Sequence, residues 1–306
     1  MKNLNVKPTV SIIIVSYNCW DFLADCLKSL ALIDLPYEVI VVDNHSVDGT
    51  ILKVRQQFPD VKTIVNDYNA GFSRANNQGF VLASGEFVLI FNPDAKLLNT
   101  DILLAIDYLK LNPRSIIGAE LLNSDGSEQA SVFEVSGIKS IAMEAFFLSY
   151  FVQKSKKDIL GQNAFGLSGA CLMMSSNCYA ELNGFDSNLF WMEDIDLCVR
   201  GRKAGMQIVY FPNWKVMHYV GQSGKKNYKV AIANQLMSKL KYLKKHQNKI
   251  HVILAAIFVQ IHILLRLILF GILSPFQKRY RIKFFAYRHT QTVFFNYIFT
   301  GKTQSF

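Results

Sequence analysis

Four short polar clusters, each closing an apolar run, are the residues of this 306-residue chain best suited to hold a ligand. They are Ser16-Tyr17-Asn18, Asp43-Asn44, Asn66-Asp67 and Asn92-Pro93-Asp94. Asn and Asp are also good turn and cap residues, which accounts for any one cluster taken alone. Four in succession point to one shared crevice. Asp43 can accept hydrogen bonds from the ring N–H groups of a nucleobase. No G-x-G-x-x-G follows the first run, and no G-x-x-x-x-G-K-[ST] occurs anywhere. This weighs against dinucleotide oxidoreductases and P-loop NTPases. Further on, Glu193-Asp194-Ile195-Asp196 opens a helical pattern, where carboxylates also suit the positive end of the helix dipole.

The elements that must position these residues are legible as a pattern. Val10–Ser16 and Glu38–Asp43 are continuous apolar runs, as expected of strands buried on both faces. Lys62–Val65, Glu86–Phe91 and Ser115–Ala119 read as further strands. Trp20–Leu32, Ile51–Phe58, Arg74–Leu82 and Thr100–Leu111 have helical spacing. Strands alternating with helices imply βαβ units and a mainly parallel sheet, with ligands beyond the carboxyl ends of the strands. The second half is less regular. Gly166–Ser175 reads as one Gly-punctuated strand, Lys154–Asp158 as a charged loop and Gly184-Phe185-Asp186 as a turn. Ile195–Ala204 reads as a helix, Gln207–Phe211 as a strand stopped by Pro212, and Lys215–Tyr219 as another strand.

Composition adds a membrane element. Half the residues (51%) are hydrophobic, enough for a large core. All 23 Asp and Glu lie in residues 1–196, whereas residues 197–306 carry 19 Lys and Arg and no acid. Such asymmetry points to an anionic partner, nucleic acid or membrane. The 22 residues Val252–Leu273 are apolar except for Gln260, His262, Arg266 and Gly271. That length can cross a bilayer, but an internal Arg is costly. Basic flanks at Lys239–Lys249 and Lys278–Lys283 would also set one positive end outside. An in-plane or re-entrant helix on the inner leaflet fits better, with a buried core helix as the plain alternative. The five cysteines form no C-x-x-C pair, so reduced thiols are expected. Met1–Pro8 has no apolar stretch of the signal-peptide kind. The expected organisation is an α/β domain over residues 1–225 and a helical membrane-associating region over 226–306.

Residues 9–220 resemble the family 2 glycosyltransferases. The resemblance rests on V-S-Y-N at 15–18, V-V-D-N-H-S-V-D-G-T at 41–50, N-A-G-F-S-R-A-N-N-Q-G at 69–79, F-N-P-D at 91–94 and G-F-D-S-N-L-F-W-M-E-D-I-D-L-C-V-R-G at 184–201. The third and fourth resemble the rhamnosyltransferase-like subgroup, which borders on galactofuranosyltransferases. The resemblance implies a GT-A fold, a nucleoside-diphosphate-sugar donor and inversion at the anomeric carbon. It places Tyr17 and Asp43 at the base, with Ser16 and Asn18 nearby. It lines the donor pocket with Asn69, Gly71 and Arg74, the last a natural cation for diphosphate oxygens. Members usually carry D-x-D where this chain has Asn92-Pro93-Asp94, so one hard anionic ligand for Mg²⁺ or Mn²⁺ is lost. His218 matches a histidine that completes the metal shell in some relatives. Asp194 matches the catalytic base, with Glu193 beside it, and Trp191 and Gly169 fall on the acceptor side.

Three other readings compete. A sugar-nucleotide nucleotidyltransferase would carry a Gly-rich loop with a basic residue after the first strand, and V-S-Y-N is not that. A degenerate, membrane-bound sugar-nucleotide-binding module is kept open by the N-P-D departure. A nucleic-acid binder lacks a matching motif, and the basic runs flank an apolar segment rather than standing free. The expected partners are therefore a nucleoside-diphosphate sugar, a lipid-linked or polysaccharide acceptor and an anionic membrane surface, without nucleic acid.

Overall fold

The run Val10–Ser16 (β1) has every residue buried, which only a central strand covered on both faces allows. A computed structural model of the chain describes residues 7–135, 137–150, 165–219 and 228–301. The remaining strands are β2 (Tyr37–Asp43), β3 (Lys62–Val65), β4 (Phe87–Phe91), β5 (Ala95–Leu97), β6 (Ser115–Leu122), β7 (Val132–Glu134), β8 (Phe165–Leu167), β9 (Cys171–Ser175) and β10 (Gln207–His218). Among the described residues, eight strands form one sheet in the order β3-β2-β1-β4-β9-β6-β10-β5, and β7 pairs with β8. β2 and β4 flank β1 in parallel, and β3 continues beyond β2. The strand order thus reverses at β1, which opens a crevice at the carboxyl end of the sheet. β9 runs antiparallel to both β4 and β6.

Successive strand residues alternate between two apolar layers. On one face Ile12, Ile14 and Leu89 pack with α1 (Trp20–Ser29) and α4 (Ile102–Leu111). On the other, Ile13, Val88 and Ile90 pack with α6 (Ser176–Glu181) and α7 (Glu193–Lys203). Ala75 of α3 (Phe72–Val81) packs there against Val15, Ile40 and Val42. Helix α2 (Thr50–Gln57) joins β2 to β3.

Two expected strands are corrected. Gly166–Ser175 is not one strand: a turn at Ser168–Ala170 splits it, with Ser168 accepting hydrogen bonds from Cys171 and Ala170. Its halves pair in different sheets. Conversely, Gln207–Phe211 and Lys215–Tyr219 belong to one strand, β10. Pro212 sits in a bulge between Phe211 and Lys215, where a missing N–H breaks no ladder bond. The charged loop Lys154–Asp158 lies outside the described residues.

The described residues divide into two compact units. One draws on Met1–Glu134, Ile159–Ser187 and Glu193–Ser223 and holds the large sheet. The other draws on Val135–Asp158, Asn188–Met192 and Gly224–Phe306 and is helical. Its helices are α5 (Ile138–Ala145), α8 (Tyr228–His246), α9 (Lys249–Leu273) and α10 (Lys278–Thr300). Among the described residues α9 is the one helix long and apolar enough to cross a membrane. It is two-sided. Ala255, Val259, His262, Ile263 and Arg266 are buried, while Ile250, Leu254, Ile257, Leu264, Ile268 and Ile272 are exposed.

Arg266, a cost in the sequence, is satisfied by the fold. Its guanidinium donates to the carbonyls of Glu144 (2.7 Å), Ala145 (3.1 Å) and His262 (3.3 Å) and lies over the Phe147 ring. The first two are carbonyls of the last turn of α5, at its negative end, where a cation is favoured. Lys239 pairs with Glu144 close by. Burial, then the charges of Arg266 and Lys239, push the His262 imidazole down to about 3, which keeps it neutral.

Candidate active site

The carboxyl ends of β1 and β2 are locked together. The Ser16 hydroxyl donates to Asp43 Oδ1 at 2.7 Å, the Ser46 hydroxyl to the same oxygen at 2.6 Å, and the Ser46 N–H to Oδ2 at 2.8 Å. Asp43 is 1% exposed. Three of about four acceptor positions on its carboxylate are thus filled from within the chain. Ser46 in turn accepts the N–H of Asn18, and Asn18 Oδ1 accepts the N–H of Val47, both at 2.8 Å. Asn18 is held at φ +49 by these bonds, and Tyr17 beside it is exposed.

Asn44 extends this lock to the next loop. Its N–H donates to the Ser16 carbonyl, its Nδ2 to the Gly71 carbonyl, and its Oδ1 accepts from Asn66 and the Ala70 N–H. Asn69 Oδ1 caps the same loop by accepting the Gly71 N–H at 3.0 Å. Gly71 has φ +80, a conformation that suits glycine, and α3 begins immediately after it. Arg74, on the first turn, is exposed and donates to the Tyr68 hydroxyl at 2.9 Å. Asn44 belongs to one of the four strand-end clusters; Ser46 lies three residues beyond the end of β2, inside the motif at 41–50, and that motif is the signal that marks it.

The end of β4 meets the end of β10. His218 Nε2 lies 3.3 Å from Asp94 Oδ1 and 3.2 Å from Asn92 Nδ2. His218 Nδ1 is 2.8 Å from Gln129 Oε1, while Gln129 Nε2 donates to Asn123 and to the His218 carbonyl. Gln129 Oε1 must therefore accept, so Nδ1 carries a proton. Nε2 is then served within the chain either by the Asn92 amide, as acceptor, or by Asp94, as donor. One carboxylate beside one imidazole is also a pair that suits a divalent ion. Among the described residues no cluster of three His, Cys, Asp or Glu side chains exists. A cation here would rest on Asp94 and His218, with Asn92 alongside. Gln129 was missed because it stands in an irregular stretch with no periodicity.

Asp194 lies one short backbone step from this point. Its Oδ2 accepts the Gly169 N–H at 2.9 Å and its Oδ1 accepts the Ile195 N–H at 2.8 Å. The neighbouring Ala170 carbonyl accepts the Asn92 N–H at 3.0 Å. Burial raises the Asp194 carboxyl above the ordinary aspartate value, and the two N–H bonds oppose that rise by favouring the anion. Glu193, half-buried, precedes it at the start of α7. The turn before α7 is fixed from within its own unit. Asn77 takes the Tyr179 hydroxyl and the Phe185 N–H, and Arg200 donates to the carbonyls of Leu182 and Gly184. Trp191 belongs to the helical unit, has φ +94 and is 48% exposed.

Gly169 packs closely against Asp194. A Cβ there would stand 3.2 Å from Asp194 Cβ and 3.4 Å from its Oδ2. Gly169→Ala is expected to displace the carboxylate and lower turnover by about tenfold, because catalysis tolerates little misplacement. Thermal melting should stay close to wild type, so steady-state rates beside a melting curve check it. Unchanged rates would separate Gly169 from function.

A three-layer α/β unit with this sheet and polar carboxyl strand ends defines a GT-A nucleotide-sugar transferase. The chain belongs to glycosyltransferase family 2, described as Glycosyl transferase family 2, whose pattern matches residues 11–182. It is 27% identical over 250 residues to "Rhamnosyltransferase WbbL" of Escherichia coli strain K12, covering 77% of this chain and 93% of that one. It is 28% identical over 241 residues to "N-acetylglucosaminyl-diphospho-decaprenol L-rhamnosyltransferase" of Mycobacterium tuberculosis, covering 72% and 78%. The fold is shared with the mannosyltransferase PcManGT from Pyrobaculum calidifontis, solved with GDP-Man and Mn²⁺. That likeness has a TM-score of 0.59 at 16% identity over 97% of this chain and 89% of that one.

Proposed function

We propose that the protein is an inverting glycosyltransferase that moves rhamnose from dTDP-rhamnose to a hydroxyl of a lipid-linked or polysaccharide precursor. The observation that carries this reading is Asp194. Its carboxylate is raised by burial, aimed by the Gly169 N–H, and set one residue from the carbonyl that binds Asn92. The two rhamnosyltransferase relatives favour the donor.

In this reading Tyr17, Asn18 and the Ser16–Asp43 pair hold the nucleobase, and Asn69, Gly71 and Arg74 hold the diphosphate end. Asp94 and His218, with Asn92, would hold Mg²⁺ or Mn²⁺, which would supply positive charge to neutralise the departing nucleoside diphosphate. Asp194 accepts the proton of the acceptor hydroxyl as its oxygen attacks the anomeric carbon and the bond to the diphosphate breaks. A single displacement from the opposite face inverts the configuration. Glu193 adds a second carboxylate beside the base, and Gly169 and Trp191 border the acceptor. The helical unit, whose residues 224–306 are basic and free of acid, rests on the anionic inner leaflet through the exposed stripe of α9.

A donor screen tests this, run with phosphatidylglycerol vesicles and read as released nucleoside diphosphate. dTDP-rhamnose is expected to turn over fastest among dTDP-rhamnose, UDP-hexoses and UDP-galactofuranose. Pyrophosphate release instead would make the protein a nucleotidyltransferase, and silence with every donor a binding module. Protein that fails to float with the vesicles would remove the membrane part. A UDP-sugar donor is the second reading, because the N-A-G-F-S-R-A-N-N-Q-G motif also resembles galactofuranosyltransferases.

A further inference from the structure

Asn77 of α3 commits its amide to a turn 108 residues away in the chain. Its Nδ2 donates to the Phe185 carbonyl at 2.8 Å, and its Oδ1 accepts the Phe185 N–H at 2.9 Å and the Tyr179 hydroxyl at 2.7 Å. One side chain thus takes both backbone groups of Phe185, and its oxygen is filled by two donors. Gly184 lets the turn come this close. It holds φ +62, and a Cβ there would overlap Asn77 Oδ1. The Phe72 ring, in the first turn of α3, has its centroid 5.4 Å from that of Phe185.

The same turn is held from α7. Arg200 donates through Nη1 to the Leu182 carbonyl and through Nη2 to the Gly184 carbonyl at 2.8 Å. Its Nε donates to Asp196 Oδ2 at 2.6 Å, and Asp196 is fully buried. A guanidinium fixed at three nitrogens leaves the turn little freedom against α7. Residues 182–185 are therefore gripped by two helices of the unit that holds the large sheet. One, α3, begins right after Gly71 and carries Arg74 in its first turn. The other, α7, carries Asp194 in its first turn.

We propose that Asn77 and Arg200 are positioning residues: through the turn 182–185 they fix the helix that carries Asp194 relative to the helix that carries Arg74. Donor and base then keep their spacing because one amide and one guanidinium hold a shared turn from opposite sides. A small displacement of the base costs rate while binding survives. The inference rests on the assignment of Asp194 as the base and of Gly71 and Arg74 to the donor. It adds that the spacing between them is set by side chains whose bonds lie within the protein.

The test uses the full chain with Asn77→Ala, Arg200→Lys, the pair together, and Tyr179→Phe as a control. The control removes the hydroxyl from Asn77 and leaves both bonds to Phe185. Hydrogen exchange at the Gly169 and Ile195 amides, the two that Asp194 holds, is expected to quicken by about tenfold in Asn77→Ala while β1 and β2 keep their protection. With the donor that turns over fastest, Asn77→Ala should lower kcat by about tenfold. Calorimetric affinity for dTDP and UDP should stay within about twofold of wild type, which separates positioning from binding. Because both residues act through one turn, the double variant should be no slower than the slower single one. Tyr179→Phe should melt lower than wild type yet keep kcat within about twofold. Unchanged exchange at Gly169 and Ile195, a fall in kcat that Tyr179→Phe reproduces, or losses that multiply in the double variant would each overturn the inference alone. A wild-type rate in Asp194→Asn would instead remove the base reading, and the inference with it.

Discussion

Asp194→Asn is expected to lower sugar transfer by about 10³-fold, the usual contribution of a positioned general base. The amide keeps one acceptor, for the Gly169 N–H, and loses its basicity together with the bond from the Ile195 N–H. The pH dependence follows from burial. Asp194 acts as a base only when ionised, and its carboxyl is raised above the ordinary aspartate value. The acid limb of kcat/KM in the wild type should therefore lie above the range of an ordinary aspartate, with the rate falling as pH falls through it. The residual rate of Asp194→Asn should lack that limb. Stability moves the other way. A carboxyl raised on folding stabilises the fold in its protonated form and loses that contribution as pH rises through the folded value. Wild-type stability should therefore fall as pH rises through that value, a slope that Asp194→Asn should lack. Transfer at the wild-type rate would remove Asp194 from the mechanism.

Chelation is the second large effect. EDTA is expected to lower transfer by about 10²-fold, restored by Mn²⁺ or Mg²⁺, because the ion neutralises charge that develops on the leaving group. Asp94→Ala should give a comparable loss and little further response to EDTA. Asn92→Asp restores a second carboxylate beside Asp94 and should lower the Mn²⁺ concentration needed for half-maximal rate by about tenfold, since charge count tunes hard-cation affinity. Full activity in EDTA together with an active Asp94→Ala would show that the Asp94–His218 contact at 3.3 Å is structural.

The sheet was legible where burial on both faces writes itself into composition. Val10–Ser16 and Lys62–Val65 match the observed strands residue for residue. Helix α3 was read from Arg74 but begins at Phe72, because Gly71 at φ +80 and Asn69 turn the chain two residues earlier. Pro212 misled because a proline that ends a ladder and one that sits in a bulge look alike until the partner strand is known. β5 and β7, three residues each, are too short to show a period. At the site, residues carried by strand ends were legible, since alternation of strand and helix already gathers them on one edge. Gln129 was not. It acts through two hydrogen bonds to His218, 89 residues along the chain, and no local pattern marks such bonds.

Arg266 bears on how the chain is made as well as on how it packs. A 25-residue apolar helix leaving the ribosome is a substrate for lateral insertion into a bilayer. A charged residue near the middle of such a segment adds about 2.5 to 3.5 kcal/mol to that transfer. The carbonyls that receive the guanidinium, those of Glu144 and Ala145, are synthesised more than a hundred residues before it. When α9 emerges its polar destination already exists. If α5 forms before α9 reaches the bilayer, Arg266 would favour docking on α5 over a stop-transfer anchor.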